Sequence, residues 1–114
     1  MNENFIKNIE FAEPVVLKSL VEYKEGQVVS RTFSQGKTLS LTLFAFDKGE
    51  EISTHSSPGE AMVYILDGQA EVTIDEMKHT VSSGEIIVMP ANVPHALFAT
   101  ERFKMLLTVI FKLN

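Results

Sequence analysis

After residue 27 the chain changes face at almost every step. Val28 to Phe33, Leu39 to Phe46, Ile52 to His55, Ala61 to Leu66, Gln69 to Ile74, Glu85 to Met89, His95 to Ala99 and Arg102 to Phe111 carry short apolar or alternating runs rich in β-branched and aromatic residues. Such runs have the period of a pleated strand and are too short for helices. Between them stand Lys24-Glu25-Gly26-Gln27, Ser34-Gln35-Gly36-Lys37, Asp67-Gly68, Asp75-Glu76-Met77-Lys78 and Ser82-Ser83-Gly84, which read as turns, with Asp67-Gly68 a tight-turn signal. His79 to Val81 leads into the last of these, and His79 reads as an exposed strand residue. Turns spaced about 8 to 12 residues apart predict an all-β sandwich or barrel.

Two segments have apolar groups on both faces. Leu39, Leu41 and Leu43 lie on one side of their strand and Phe44 and Phe46 on the other, as expected for a strand buried within a barrel and covered outside. In the last strand Lys104, Leu106, Thr108 and Ile110 alternate with Met105, Leu107, Val109 and Phe111, so that Leu106 or Ile110 is expected at a subunit contact. Before residue 28 the pattern is less regular. Phe5, Ile6 and Ile9 fit one stripe of a short helix, Pro14 would stop it, and Val15, Leu17, Ser19, Val21 and Tyr23 would form one face of a strand.

Composition narrows the function. The 114 residues, 45% hydrophobic and 22% charged, suit a single globular domain spanning 1–114. A net charge of −5 argues against nucleic acid as a partner, since phosphate binding calls for a Lys/Arg surface. Without cysteine there is no disulfide, thiolate metal site or Cys nucleophile. No apolar run approaches the ~20 residues that span a bilayer, and the first residues lack a leader pattern, so the expectation is a cytoplasmic protein with no membrane partner.

The chemistry concentrates between Gly49 and His95. Gly49, His55 and Gly68 match the first motif of the cupin superfamily, GxxxxxHxHxxxExxxxxxG, with Ser57 at its second His and Ala61 at its Glu. Gly84, Pro90 and His95 match the second motif, GxxxxxPxGxxHxxxN, with Asn92 at the second Gly and Ala99 at the final Asn. The chain therefore resembles a small single-domain, RmlC-like cupin over about residues 38–111, with residues 1–37 adding strands and an arm. The resemblance implies a double-stranded β-helix, the jelly-roll barrel, preceded by a short N-terminal helical or extended segment. It also implies a metal site of three His and one Glu inside the barrel, of which this chain keeps His55 and His95.

Zn, Ni, Fe or Mn would need further donors. Glu60 stands one residue before the expected Glu, and an offset of one turns a strand side chain to the opposite face. A bulge at the strand's entry would re-aim it inward, giving a set of His55, His95 and Glu60. A ligand pocket at the barrel mouth would comprise His55, Ser57 and His95, with walls of matching parity from Val63, Ile65, Leu97 and Met105. Such a lining suits a small, fairly apolar molecule. Three readings follow: a small-molecule-binding cupin with a weakened metal site, a metal-dependent dioxygenase or isomerase of a small organic substrate, and a structural or interaction barrel. The sequence assigns no catalytic residue, and a homodimer is the expected assembly.

Overall fold

The fold is that of a computed structural model, which describes residues 5–112. Eight strands follow one another: β1 Val28–Gln35, β2 Leu39–Phe46, β3 Glu51–His55, β4 Glu60–Ile74, β5 Met77–Ser82, β6 Ile86–Met89, β7 His95–Phe98 and β8 Phe103–Ile110. All pairings are antiparallel. The expected all-β barrel is what forms. Among the described residues no helix is long and apolar enough to cross a membrane.

The longest strand organises the barrel. The first half of β4, Glu60 to Gly68, lies between β8 and β6, while its second half, Gln69 to Ile74, lies between β7 and β5. One chain segment thus serves two curled sheets, β1-β2-β8-β4-β6 and β3-β7-β4-β5. This corrects the reading of Asp67-Gly68 as a tight turn between two strands. The chain does not reverse there; it shifts register between Ile65 and Asp67, crosses at Gly68 and continues. Gly68 has φ +77°, and a Cβ on it would fall inside the carbonyl group of Arg102. A glycine permits the crossing because β8 passes directly over it.

Alternation along β4 sorts the two faces. Ala61, Val63, Ile65, Ala70 and Val72 are buried, while Glu60, Met62 and Tyr64 are exposed. The buried set packs with Phe46, Leu97, Phe103 and Met105 into the barrel core, where the rings of Phe46 and Phe103 stack with centroids 4.4 Å apart. Phe44 also faces this core, so both phenylalanines of β2 point inward.

A second, smaller core lies outside the barrel. Leu43 and Ala45 on the outer face of β2, with Phe33, are covered by Val21 and by Ile9, Leu17, Leu20 and Tyr23. Leu106 joins this cluster, so the chain's own N-terminal segment covers it, whereas Ile110 remains 52% exposed. Residues 5–12 form bends rather than the expected helix, and one 3-10 turn, Leu17–Leu20, replaces the strand expected over 15–23; residues 1–4 of that reading lie outside the described residues. The segment's polar groups explain the difference, because β1 meets them. Lys7 N–H donates to the Phe33 carbonyl, and the Asn8 side chain donates to the Thr32 carbonyl. Arg31 in turn donates to the carbonyls of Asn8 and Leu20. Tyr23 closes this arrangement: its hydroxyl donates to Asp67 at 2.6 Å, with Arg102 and Lys104 over its ring. Burial, and then the Asp67 carboxylate, push that hydroxyl far above the ordinary tyrosine range.

Candidate functional site

His55 ends β3 and His95 begins β7, and the two are directly opposite in register. Their side chains share a face for a reason that spacing alone hides. Ile52 is paired with Leu97, so Ser53 and Thr54 both stand opposite the single residue Ala96. Ile52 and His55 are three apart, an odd spacing that would separate them in a regular strand. The extra residue of this bulge restores His55 to the inner face. There its ring meets that of His95 edge-on, with centroids 4.5 Å apart and planes at 72°.

Both rings are fixed by the backbone two residues earlier. His55 Nδ1 lies 2.9 Å from the Ser53 carbonyl oxygen and His95 Nδ1 lies 3.2 Å from that of Val93. A carbonyl only accepts, so each Nδ1 carries the proton and, in the neutral ring, each Nε2 keeps a free lone pair. His95 is buried and His55 is exposed, so the pair bridges core and solvent. Burial first, and the adjacent His55 second, lower the His95 pKa against the opposing effect of the Val93 carbonyl.

Register also identifies the neighbours. His95 is paired with Ile74, and Ile74 with Met77, so His55, His95, Ile74 and Met77 form one rung across the inner face. The next rung runs Ile52, Leu97, Val72 and His79. His79 therefore shares the face of fully buried Val72 and is itself half-buried, which corrects its reading as an exposed strand residue. All three histidines belong to the inner face of one four-stranded sheet. The signal was present in Met77, His79 and Val81, which alternate with polar Lys78 and Thr80.

The other expected residues divide into two groups. Val63, Ile65, Leu97 and Met105 are buried together in the barrel core. Ser57 stands in the loop after β3, where its hydroxyl accepts the Gly59 N–H at 3.1 Å and its carbonyl accepts the Asn92 N–H at 2.7 Å. Glu60 is exposed and shares the outer face with Met62 and Tyr64, so the structure does not bring it to the two imidazoles.

A family model described as "Cupin domain" matches residues 42–111. The chain belongs to the cupin superfamily. Among solved structures, this cupin is similar to a conserved protein of unknown function from Streptococcus pyogenes. The two share 48% identity over 98% of each chain, with a TM-score of 0.96. A cupin superfamily protein from Desulfitobacterium hafniense is 33% identical over 94% of this chain and 98% of its own, with a TM-score of 0.89. A salicylate 1,2-dioxygenase from Pseudaminobacter salicylatoxidans shares the fold at 19% identity over 73% of this chain and 26% of its own, with a TM-score of 0.67. A search of curated proteins finds no match.

Cupins often hold a metal, and the donors of this chain can be tested against one. Two imidazole rings meet edge-on, but the Ser57 hydroxyl is engaged with the Gly59 N–H, Ala61 offers no donor and Glu60 faces outward. Among the described residues no three His, Cys, Asp or Glu side chains group together. Resident Zn, Ni, Fe or Mn takes three or more protein donors, so this set does not fit such an ion.

The lowered pKa of His95 has a thermodynamic consequence. Below the ordinary histidine pKa of about 6.5 the unfolded chain binds this proton more readily than the native chain. Stability therefore rises with pH through this window and falls as pH drops from about 6.5 toward the lower native value. Above the window this group contributes no slope. Urea unfolding between about pH 5 and pH 7.5 is expected to show this acid-side loss, and His95→Gln is expected to reduce it. An unchanged slope in the variant would place the effect elsewhere.

Proposed function

We propose that this cupin binds a small, largely apolar molecule at the rim of the barrel, held by hydrogen bonds to the imidazoles of His55 and His95. The observation that carries this reading is the pair of rings 4.5 Å apart, each with Nδ1 engaged by a backbone carbonyl. That arrangement leaves Nε2 of each neutral ring free to accept, matching a ligand with a hydroxyl or N–H donor. Ile74 and exposed Met77 extend the same rung and would meet the apolar part of the ligand. Val63, Ile65 and Met105 are fully buried in the barrel core, which favours a ligand at the rim. Phosphorylated ligands fit poorly, because this inner rung carries no Arg or Lys to meet a phosphate.

The test uses histidine ring resonances in NMR while a panel of small phenols and alcohols is titrated in. Saturable shifts at the His55 and His95 rings are expected, with affinity reduced at least tenfold in His55→Ala and in His95→Gln. Shifts that survive in both variants, or that map only to other surfaces, would overturn the reading. Metal analysis after incubation with Zn and Ni provides an independent readout. Well under one ion per chain is expected, and one tightly held ion per chain would favour the metal-dependent enzyme instead. The working unit is a homodimer in this reading, supported by the apolar groups on both faces of β8.

A further inference from the structure

The outer face of the five-stranded sheet is apolar across two adjoining areas, and the described residues cover only one of them. Toward β1, Leu43, Leu41 and Leu106 lie beneath the N-terminal segment. Toward β6, register places Val88 beside Met62 and Ile86 beside Tyr64. Glu60 is paired with Ile110, and Ile110 with Leu39. Val88, Met62, Ile86, Tyr64, Ile110 and Leu39 thus form one block reaching from β6 to β2, each between 36% and 54% exposed. Direct neighbours are about 5 Å apart and diagonal ones about 7–8 Å, so Met62 reaches Ile110 diagonally across Thr108, its own partner on β8, and the six residues form one patch with this threonine within it.

Its area can be compared with what association requires. At about 180 Å² for each fully exposed side chain, these fractions leave about 500 Å² of apolar surface, near the upper end for a soluble monomer. A standard interface buries about 800 Å² per partner, of which about 56–65% is apolar, or roughly 450–520 Å². The patch has the apolar area of one side of such an interface.

Charge favours a particular occupant. Each chain carries −5, so two copies repel unless they meet where charge is sparse. In this block Glu60 is the one acidic group, at a corner opposite Ile110. A flat sheet face also complements itself, since two sheets pack face to face about 10 Å apart, and a two-fold axis would bring the same patch from both copies together.

We infer that the Met62–Tyr64–Ile86–Val88–Ile110 face is the interface through which two copies of this chain pair, sheet on sheet. The inference rests on the dimeric state proposed above and goes further by fixing the face. The dimer leaves both histidine rims open, because they lie on the inner face of the other sheet.

Sedimentation of the full chain at micromolar concentration tests it. The wild type is expected to run as a dimer. Met62→Glu combined with Val88→Glu, and separately Ile110→Lys, should weaken self-association at least 100-fold with unchanged circular dichroism. Phe11→Asp in the N-terminal segment and Phe98→Asp on the other sheet are expected to leave the dimer intact. A monomeric wild type would overturn both the dimer and its face. A dimer that survives the face variants, or that Phe11→Asp or Phe98→Asp dissolves instead, would overturn the face alone. If the double variant unfolds, Ile110→Lys decides between these outcomes, because its side chain lies at the block's edge.

Discussion

Replacing Gly68 by alanine is expected to destabilise the barrel by more than about 4 kcal/mol, a large share of the roughly 5–15 kcal/mol that holds a domain folded. Two independent causes act at one position. The backbone there has φ +77°, which an L side chain adopts at a cost of about 1–2 kcal/mol. The added methyl would also collide with the Arg102 carbonyl and the Phe103 Cα, backbone atoms that cannot swing aside as a side chain can. Relief requires β8 to move away from β4, which breaks the pairing of Asp67 with Lys104 and Gly68 with Phe103. Urea unfolding, or the yield of soluble protein where the variant no longer folds, measures the effect. A loss within about 1 kcal/mol of wild type would mean that the crossing is looser than the structure shows.

Phe103→Ala is expected to cost about 3–5 kcal/mol, the range for deleting a buried aromatic ring. Phe103 is fully buried, stacks on Phe46 and faces Gly68 across the β4–β8 pairing. It fills the place where the crossing of β4 would otherwise leave the core open. The urea midpoint should fall with little change in slope, and Phe103→Leu, which retains most of the volume, should cost less than half as much. Equal costs for the two variants would show that ring stacking, rather than filled volume, is what counts. Because Gly68 and Phe103 are in contact, their effects should not add, and a double-mutant cycle is expected to give a coupling of about 0.5–3 kcal/mol.

Most of the barrel was legible because strand alternation is a local signal. Ala61, Val63 and Ile65 announce a buried face whichever strands flank them, and Phe44 and Phe46 announce that β2 is covered on both sides. The cupin spacing of Gly49, His55, Gly84, Pro90 and His95 conveyed the family for the same reason. What stayed hidden depends on partners. Asp67-Gly68 looks the same whether its positive φ closes a hairpin or lets β4 pass beneath Arg102, and only β8 distinguishes the two. The bulge at Ser53 and Thr54 exists because Ala96 is their one shared neighbour, a relation that a single strand does not contain. His79 was recoverable, since Met77, His79 and Val81 alternate with Lys78 and Thr80, but a turn reading that takes in Met77 and Lys78 cuts this alternation short and leaves His79 looking like an exposed strand residue. The helical spacing of Phe5, Ile6 and Ile9 was coincidental. That segment's amides and carbonyls are drawn to β1 and Arg31, which sequence periodicity cannot register.

The double membership of β4 bears on how the molecule comes apart. Peeling β7 or β5 from its second half and β8 or β6 from its first half strips partners from one uninterrupted backbone, so neither sheet has an opening of its own that leaves the other untouched. The histidine rim and the outer apolar block are thereby parts of one cooperative unit, and slow amide exchange along β4 would report only on events that undo both.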